Sequence, residues 1–388
     1  MEKQPTLSRA LKSVNPFRVM TVMQRAKELA SAGRDVIHME VGEPDFTSAE
    51  PIIKAAKLAL DEGRTQYTEA PGIQPLRAYI ADMYASRYGV KIAPERVLIT
   101  PGASAGLTLL AHLLVNSGDG ILLSDPAYPC VRNFINLMSA HPQLVPVGPQ
   151  DNFQPGVDKL EACRTENTTG VWLASPSNPA GTILTRSELH TICQWARERE
   201  MHVLVDEIYH GLHYVDDLPS ALEIDNECFV VNSFSKYYGM TGWRLGWIVV
   251  PESNIESANI LAQNLYISAP SIAQYAALAA FTPAAQEIFE ERREAFRQRR
   301  DFLSQALSEI GFLLPDTIQG AFYIYADISK FSTDSEDFCR NMLEQHGIAI
   351  TPGTDFGDYD ASKFVRFAFT TSMENLVKAA ERLSQALG

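Results

Sequence analysis

The 388-residue chain has too few positive charges to suit a polyanionic partner. Its 33 lysines and arginines are outnumbered by 47 aspartates and glutamates, which gives a formal net charge of −14. Proteins that follow a phosphate backbone or rest on an anionic membrane need a surplus of positive charge at the contact. We therefore expect no nucleic-acid partner and no membrane partner, and we expect the ligands to be small molecules.

Cysteines and long apolar runs are also scarce. The five cysteines are an odd number and include no C-x-x-C pair: Cys130, Cys163, Cys193, Cys228 and Cys339. Neither a disulfide framework nor a structural zinc site is expected, and a reducing cytoplasmic location fits this pattern. Nowhere do about 18 uncharged apolar residues run together, and the amino terminus lacks an apolar export signal, so we expect no membrane span.

What the sequence does contain is an alternation of short apolar runs with helical patterns. The runs are RVLIT at 96–100, GILLSD at 120–125, GVWLASP at 170–176, MHVLVDE at 201–207, CFVVNSFS at 228–235 and RLGWIVV at 244–250. Apolar runs of this length, bounded by turn residues and spaced by helices, are typical of strands buried on both faces. The sequence therefore predicts an α/β fold with a mostly parallel sheet.

The pattern changes after Pro283, where one long charged helix is predicted over 284–311. Strand-like segments follow at 320–328, 347–353 and 363–369. These indicate a smaller α+β domain, which the early segment VIHMEVGEPDF is expected to join. We predict three parts: an arm and part of the small domain at 1–45, a large domain at 46–282, and the rest of the small domain at 283–388.

Two predicted strands end in residues suited to binding charge. One strand leaves through a Gly102-Ala103-Ser104 turn into a helix, which would present backbone N–H groups, a hydroxyl and a helix dipole to an anion. Another strand ends at Asp206, where a carboxylate in apolar surroundings is costly unless a cation stabilises it. A simple capping role for Asp206 is the alternative.

A third strand ends in SFSK, which places Lys236 beside Ser233, with Arg244 further on. Lysines are usually solvated. In an open α/β sheet, however, ligands bind beyond the carboxyl ends of the parallel strands, so the three ends form one predicted site. An amine that condenses with an aldehyde, an acid that keeps a pyridine nitrogen protonated and an anion cradle are the requirements of pyridoxal phosphate.

Eight ordered motifs extend this prediction. They are VGEPDF, YTEAPG, PGAS, DPAYP, SPSNPAG, VDEIY, SFSKYYGMTGWRLGW and VRFAF. From about Asn15 onward the chain resembles the class I and II pyridoxal-phosphate-dependent aminotransferases of fold type I. The resemblance implies a large domain of three layers with an aspartate-aminotransferase-like sheet, a smaller α+β domain, and a homodimer.

The resemblance also implies roles for residues around the cofactor ring. Lys236 would form the internal aldimine and then move a proton as general base and acid. Asp206 would pair with the pyridinium nitrogen. Tyr209 and Asn178 would hydrogen-bond the phenolic oxygen, and Tyr128 would stack on the ring.

The remaining roles concern the phosphate and the substrate. The resemblance assigns the phosphate to Gly102, Ala103, Ser104, Ser233 and Arg244, and to Tyr67 of the neighbouring subunit. Arg366 would bind the substrate α-carboxylate as a two-pronged donor. Gly42 would let the backbone approach the substrate closely.

The amino donor is predicted from an absence. Between Arg244 and Arg292 there is no lysine or arginine. One subgroup of aspartate aminotransferases has a second arginine there, and another has a lysine where this chain has Ser104. We therefore expect neutral or aromatic donors over aspartate, with a 2-oxo acid such as 2-oxoglutarate as acceptor. The other arginines that could supply the charge are Arg18, Arg25 and Arg132.

Two alternative functions share this cofactor or this fold. A carbon–sulfur lyase or an aminocyclopropane-carboxylate-synthase-like enzyme would use the same active-site lysine. A cofactor-sensing regulator would need an added basic DNA-binding domain, for which the sequence leaves no room. Two acidic and histidine clusters superficially resemble metal sites, but no metal is expected. Asp206, His210 and His213 have no regular helical spacing that would align them as ligands. His38, Glu40 and Glu43 fit the alternation of a strand.

Overall fold

The structure, a computed structural model, describes residues 8–388; the first seven residues of the predicted arm lie outside the described residues. The α-helices are α1 (Arg18–Ser31), α2 (Glu50–Asp61), α3 (Gln74–Tyr88), α4 (Ala103–Leu114), α5 (Pro129–Leu137), α6 (Val157–Cys163), α7 (Arg186–Arg197), α8 (Ala221–Ile224), α9 (Ile255–Leu265), α10 (Ser271–Leu278), α11 (Pro283–Ile310), α12 (Ser335–His346) and α13 (Met373–Leu387). The strands are β1 (Ile37–His38), β2 (Val97–Thr100), β3 (Gly120–Asp125), β4 (His141–Pro146), β5 (Thr168–Ala174), β6 (His202–Asp206), β7 (Phe229–Ser233), β8 (Gly246–Val249), β9 (Tyr323–Asp327), β10 (Ile348–Ala349), β11 (Thr351–Pro352) and β12 (Phe364–Ala368).

A seven-stranded sheet forms the centre of the larger part. Its strand order is β2-β8-β7-β6-β5-β3-β4, and all neighbouring pairs are parallel except the two that involve β8. The segment between β7 and β8, residues 234–245, holds one short 3-10 helix and no crossover helix, and so β8 returns antiparallel. The predicted α/β fold with a mostly parallel sheet is confirmed.

Helices cover both faces of this sheet. Alternate residues of β2 show the arrangement, because Val97 and Ile99 join one buried cluster, with side chains of α3 and α7, while Leu98 joins another, with side chains of α4 and α9. Strand side chains point alternately to the two faces of a sheet. The apolar runs are continuous in the sequence because both faces of the sheet are buried. The sheet and the helices on its two faces form three layers.

The carboxyl-terminal part contains the charged helix and two small sheets. Helix α11 begins at Pro283, as the composition change predicted. Strands β11, β12 and β9 form an antiparallel sheet, and β1 pairs with β10 through Ile37 and Ile348. The early segment therefore joins the carboxyl-terminal elements, since Ile37 pairs with a residue 311 positions later in the chain.

All five cysteines are free thiols, and the nearest two sulfurs, those of Cys193 and Cys228, lie 3.7 Å apart. Among the described helices, none combines the length and the apolar character that crossing a lipid bilayer requires.

Candidate active site

The predicted strand ends meet at one edge of the central sheet. Strands β2, β6 and β7 run in the same direction, so Thr100, Asp206 and Ser233 end at the same edge. A cavity of about 290 Å³ opens there. Ten of the thirteen predicted site residues line it: Gly42, Ala103, Ser104, Tyr128, Asn178, Asp206, Tyr209, Lys236, Arg244 and Arg366. The other three, Gly102, Ser233 and Tyr67, do not line the cavity.

Lys236 presents its amine to this cavity from the loop after β7. Its Nζ donates a hydrogen bond to the carbonyl oxygen of Gly42 at 2.6 Å and lies 5.7 Å from the centre of the Phe322 ring. Burial, and then the positive charge of Arg366, lower the pKa of Lys236 to about 8. A lysine with such a pKa is partly unprotonated near neutral pH, which is what a nucleophilic amine requires.

Asp206 places a carboxylate on the floor of the cavity. One of its oxygens accepts a hydrogen bond from the backbone N–H of Ile208 at 3.0 Å. Burial raises the pKa of Asp206 to about 6, although this N–H and the charge of Lys236 act in the opposite direction. Within residues 8–388 no lysine, arginine or histidine forms an ion pair with Asp206, so the carboxylate is suited to a cationic ligand group.

Arg366 supplies a buried guanidinium from β12. Its Nη1 donates to Asn178 Oδ1 at 2.9 Å, and its Nη2 donates to the carbonyl oxygen of Glu40. The group lies over the ring of Tyr323 at 4.3 Å and the ring of Phe356 at 4.7 Å. In the part of the chain that the structure describes, no carboxylate pairs with it and its Nε has no partner. A buried cation in this state calls for an anionic ligand.

Tyr323 is a cavity residue that the sequence analysis missed. Its hydroxyl lies 2.9 Å from the hydroxyl of Tyr209, and both side chains are buried. It also explains Gly42, because a Cβ added there would lie 1.7 Å from the Tyr323 hydroxyl oxygen. The observed close approach at Gly42 is thus to a side chain of the protein. The strand-like segment at 320–328 predicted that Tyr323 lies in a strand, but nothing in the sequence indicated its partners.

The turn before α4 forms a cradle for an anion. Gly102 has a φ of 84°, and a Cβ there would lie 2.7 Å from Arg244 Nη2, so glycine allows the guanidinium to approach the helix end. Ala103 and Ser104, in the first turn of α4, line the cavity. Backbone N–H groups at a helix start, with an arginine beside them, suit a phosphate.

The two serines of SFSK take different positions. Ser235 lines the cavity. The Ser233 hydroxyl lies behind it, 2.9 Å from the Ser235 hydroxyl and 3.1 Å from the carbonyl oxygen of Leu245. The role predicted for Ser233 stays a prediction, and Ser235 is a second residue that the sequence analysis did not assign to the site.

Tyr67 lies away from the cavity of its own chain. Its side chain is 80% exposed, which is unusual for a large aromatic residue. Like Tyr67, several apolar side chains of α2 and of the α9 region are exposed to solvent: Leu58, Leu60, Ile260, Leu265 and Ile267.

The cluster of Asp206, His210 and His213 is divided between two environments. Asp206 faces the cavity, whereas His210 lies between the hydroxyl of Tyr88 at 2.7 Å and the carbonyl oxygen of Ser175 at 3.1 Å. No group of three potential metal ligands comes together in the described part of the chain.

The roof of the cavity comes from the amino-terminal helix. Phe17, Val19 and Met20 line it, and the Phe17 ring meets the Tyr128 ring edge to face at 6.1 Å. No pattern in the sequence indicated that the start of α1 crosses the carboxyl edge of the sheet, because that contact joins residues more than one hundred positions apart.

A family model provides the deciding comparison. The model described as aminotransferase class I and II matches residues 34–383. The chain belongs to this family. The aminotransferase is 36% identical to a valine–pyruvate aminotransferase of Mycobacterium tuberculosis over 96% of this chain and 97% of that protein. It is 35% identical to a (5-formylfuran-3-yl)methyl phosphate transaminase of Methanocaldococcus jannaschii over 98% of this chain and 99% of that one.

Solved structures agree with the family. A crystal structure of an aminotransferase from Mycobacterium tuberculosis superposes with a TM-score of 0.96 at 36% identity, covering 99% of both chains. The protein is therefore a transaminase with an aspartate-aminotransferase-like fold, and its cofactor is pyridoxal phosphate. The residues of the cavity fit that cofactor, because an amine of lowered pKa, a carboxylate without a cation and a cradle for phosphate line one space.

Proposed function

We propose that this aminotransferase prefers neutral or aromatic L-amino acids over aspartate and passes their amino group to a 2-oxo acid such as 2-oxoglutarate. The observation that carries the proposal is which cationic side chains line the cavity. Its described lining contains three cations, Lys236, Arg244 and Arg366. Each of them would already be used to bind the cofactor or the α-carboxylate. The surrounding wall is largely apolar: Phe17, Val19, Met20, Val41, Leu107 and Ile208.

The three other arginines considered for a distal carboxylate each make a contact outside the cavity. Arg18 pairs with Glu336, and Arg25 pairs with Glu344 at 2.6 Å. Arg132 donates to the carbonyl oxygen of Asp355 at 3.2 Å. None of the three lines the cavity. Burying a second carboxylate of aspartate against apolar walls would cost free energy that a neutral side chain does not incur.

The proposed chemistry divides the work among named side chains. Pyridoxal phosphate, when bound, supplies an aldehyde that condenses with amines and a ring that withdraws electrons from the substrate α-carbon. Lys236 Nζ would hold the cofactor covalently and, once released, move a proton at the α-carbon. Asp206 would hold the ring nitrogen protonated, and Tyr209 with Asn178 would donate to the ring oxygen.

The substrate and phosphate ends are held by different parts of the fold. Arg366 would bind the α-carboxylate, with Asn178 and the Glu40 carbonyl fixing the orientation of its guanidinium. Arg244 and the first turn of α4 would hold the phosphate.

A homodimer is part of the proposal. Tyr67 cannot serve the cavity of its own chain, since it lies outside it and is 80% exposed. We expect Tyr67 to reach the phosphate of the partner subunit, with the exposed apolar residues of α2 and the α9 region buried in the interface. Analytical sedimentation should give the mass of a dimer. Tyr67→Phe should weaken retention of the cofactor while the protein stays a dimer. A monomer that keeps full activity would contradict this part of the proposal.

The decisive experiment is a half-reaction followed by absorbance. Purified enzyme with bound cofactor is mixed with alanine, methionine, phenylalanine, aspartate or glutamate, without any 2-oxo acid. Neutral and aromatic donors should convert the cofactor to its amine form faster than aspartate, and Lys236→Ala should abolish the conversion. Rapid aspartate turnover with negligible turnover of the neutral donors would sink the proposed preference, and release of ammonia or pyruvate would indicate a lyase activity.

A further inference from the structure

Helix α1 begins without a capping residue of its own. Phe17 occupies the N-cap position, no acidic residue lies in the first turn, and no side chain of the N-cap position accepts a hydrogen bond. The first backbone N–H groups of a helix have no partner within it and need an acceptor elsewhere. The local sequence N-P-F-R provides none.

Asp355 provides that acceptor from the other end of the chain. Its Oδ1 accepts the backbone N–H of Arg18 at 2.7 Å, and its Oδ2 accepts the N–H of Val19 at 3.3 Å. Asp355 is 2% exposed. A buried carboxylate that accepts two N–H groups at a helix start is a charge-assisted cap, further favoured by the helix dipole.

The same segment also reaches the proposed carboxylate clamp. Asp355 ends a 3-10 helix, Gly353–Asp355, and the next residue, Phe356, places its ring 4.7 Å from the Arg366 guanidinium. Burial raises the pKa of Asp355, while the N–H of Arg18 and the positive charge of Arg366 act in the opposite direction. Asp355 therefore lies between the substrate clamp and the start of α1.

The start of α1 is the roof of the cavity. Phe17 and Val19, on either side of the first capped residue, line the cavity, and so does Met20. Because Asp355 holds the N–H groups of Arg18 and Val19, it fixes the position of this roof above the apolar space in which a donor side chain would lie.

We infer that Asp355 is a positioning residue that sets the enzyme's selectivity for large apolar donors, by holding the roof of the side-chain subsite in place. The inference rests on the proposed binding of the donor side chain in this cavity. A large side chain such as that of phenylalanine or methionine would contact the roof, whereas alanine would not reach it. Loss of the cap should therefore weaken binding of large donors selectively.

The test compares Asp355→Ala and Asp355→Asn with the wild-type holoenzyme in the absorbance half-reaction. For Asp355→Ala we expect the concentration of phenylalanine or methionine at half-maximal rate to rise about tenfold, the scale of a lost helix cap. The limiting rate, and the alanine concentration at half-maximal rate, should change less than about twofold. Asp355→Asn should keep most of the wild-type affinity for these large donors, because asparagine caps helices nearly as well as aspartate.

Two further variants separate a local effect from general loosening. Phe17→Ala removes the roof side chain and should reproduce the loss of selectivity. Glu336→Gln removes the exposed ion pair with Arg18 on the outer side of the same helix and should leave all values unchanged.

The decisive quantity is the ratio between the half-maximal concentrations of phenylalanine and of alanine. An unchanged ratio in Asp355→Ala, or an equal loss for alanine and phenylalanine, would overturn the inference. A wild-type preference for aspartate would instead overturn the proposed donor class, so the two failures are distinguishable.

Discussion

Replacing Arg366 with lysine tests the proposed carboxylate clamp most directly. The guanidinium is held by Asn178 Oδ1 at 2.9 Å and by the Glu40 carbonyl, and it lies against the rings of Tyr323 and Phe356. Lysine keeps the positive charge. A single ammonium, however, cannot present two parallel N–H groups to a carboxylate, nor stack flat between two rings.

The expected loss is about one charge-assisted hydrogen bond to the substrate. Such a bond contributes roughly 1.5–3 kcal/mol, which corresponds to an affinity about 10- to 150-fold weaker. The limiting rate should fall less, because the charge that attracts the carboxylate remains. The assay is the concentration dependence of the half-reaction with one neutral donor, followed by the absorbance of the cofactor.

A matched control comes from the surface of the same fold. Arg25 pairs with Glu344 and Glu28 on exposed helices, so Arg25→Lys should leave the half-reaction and the thermal stability unchanged. If Arg366→Lys melts like the wild type and still binds the donor within about threefold of the wild-type affinity, the α-carboxylate is not held at Arg366 and the assignment of the clamp is refuted.

Three other perturbations probe separate features of the site. Gly42→Ala would place a Cβ 1.7 Å from the Tyr323 hydroxyl oxygen, so it should lower both melting temperature and activity, and adding Tyr323→Phe should recover part of the loss. Because burial raises the pKa of Asp206 to about 6, the folded apoprotein loses stability as the pH rises from about 4 to about 6 and none beyond. Asp206→Asn apoprotein should thus resist urea better at pH 8, by up to about 3 kcal/mol, with the difference closing toward pH 4. The lowered pKa of Lys236, about 8, predicts that the rate of cofactor attachment to apoprotein rises with pH and levels off above about 8; a rate still climbing at pH 10 would contradict it.

The sequence indicated the chemistry of the site better than its geometry. Lys236 and Asp206 follow apolar runs, and residues at the carboxyl ends of parallel strands must share one edge, so their meeting was predictable. Burial, the larger cause of the lowered lysine pKa, follows from the apolar run before Lys236, but the second cause, the charge of Arg366, was not predictable because Arg366 comes from another sheet 130 residues later.

The sequence by itself therefore determined the fold class, the cofactor and ten of the residues that line the cavity. Strand burial, turn residues and charge at strand ends are properties of a few neighbouring positions, and they act before any distant contact forms. The roof of the cavity, its Tyr323 contact and the cap of α1 were decided only by tertiary structure. Phe17, Tyr323 and Asp355 carry no local signal, because their roles arise from contacts with residues far away along the chain.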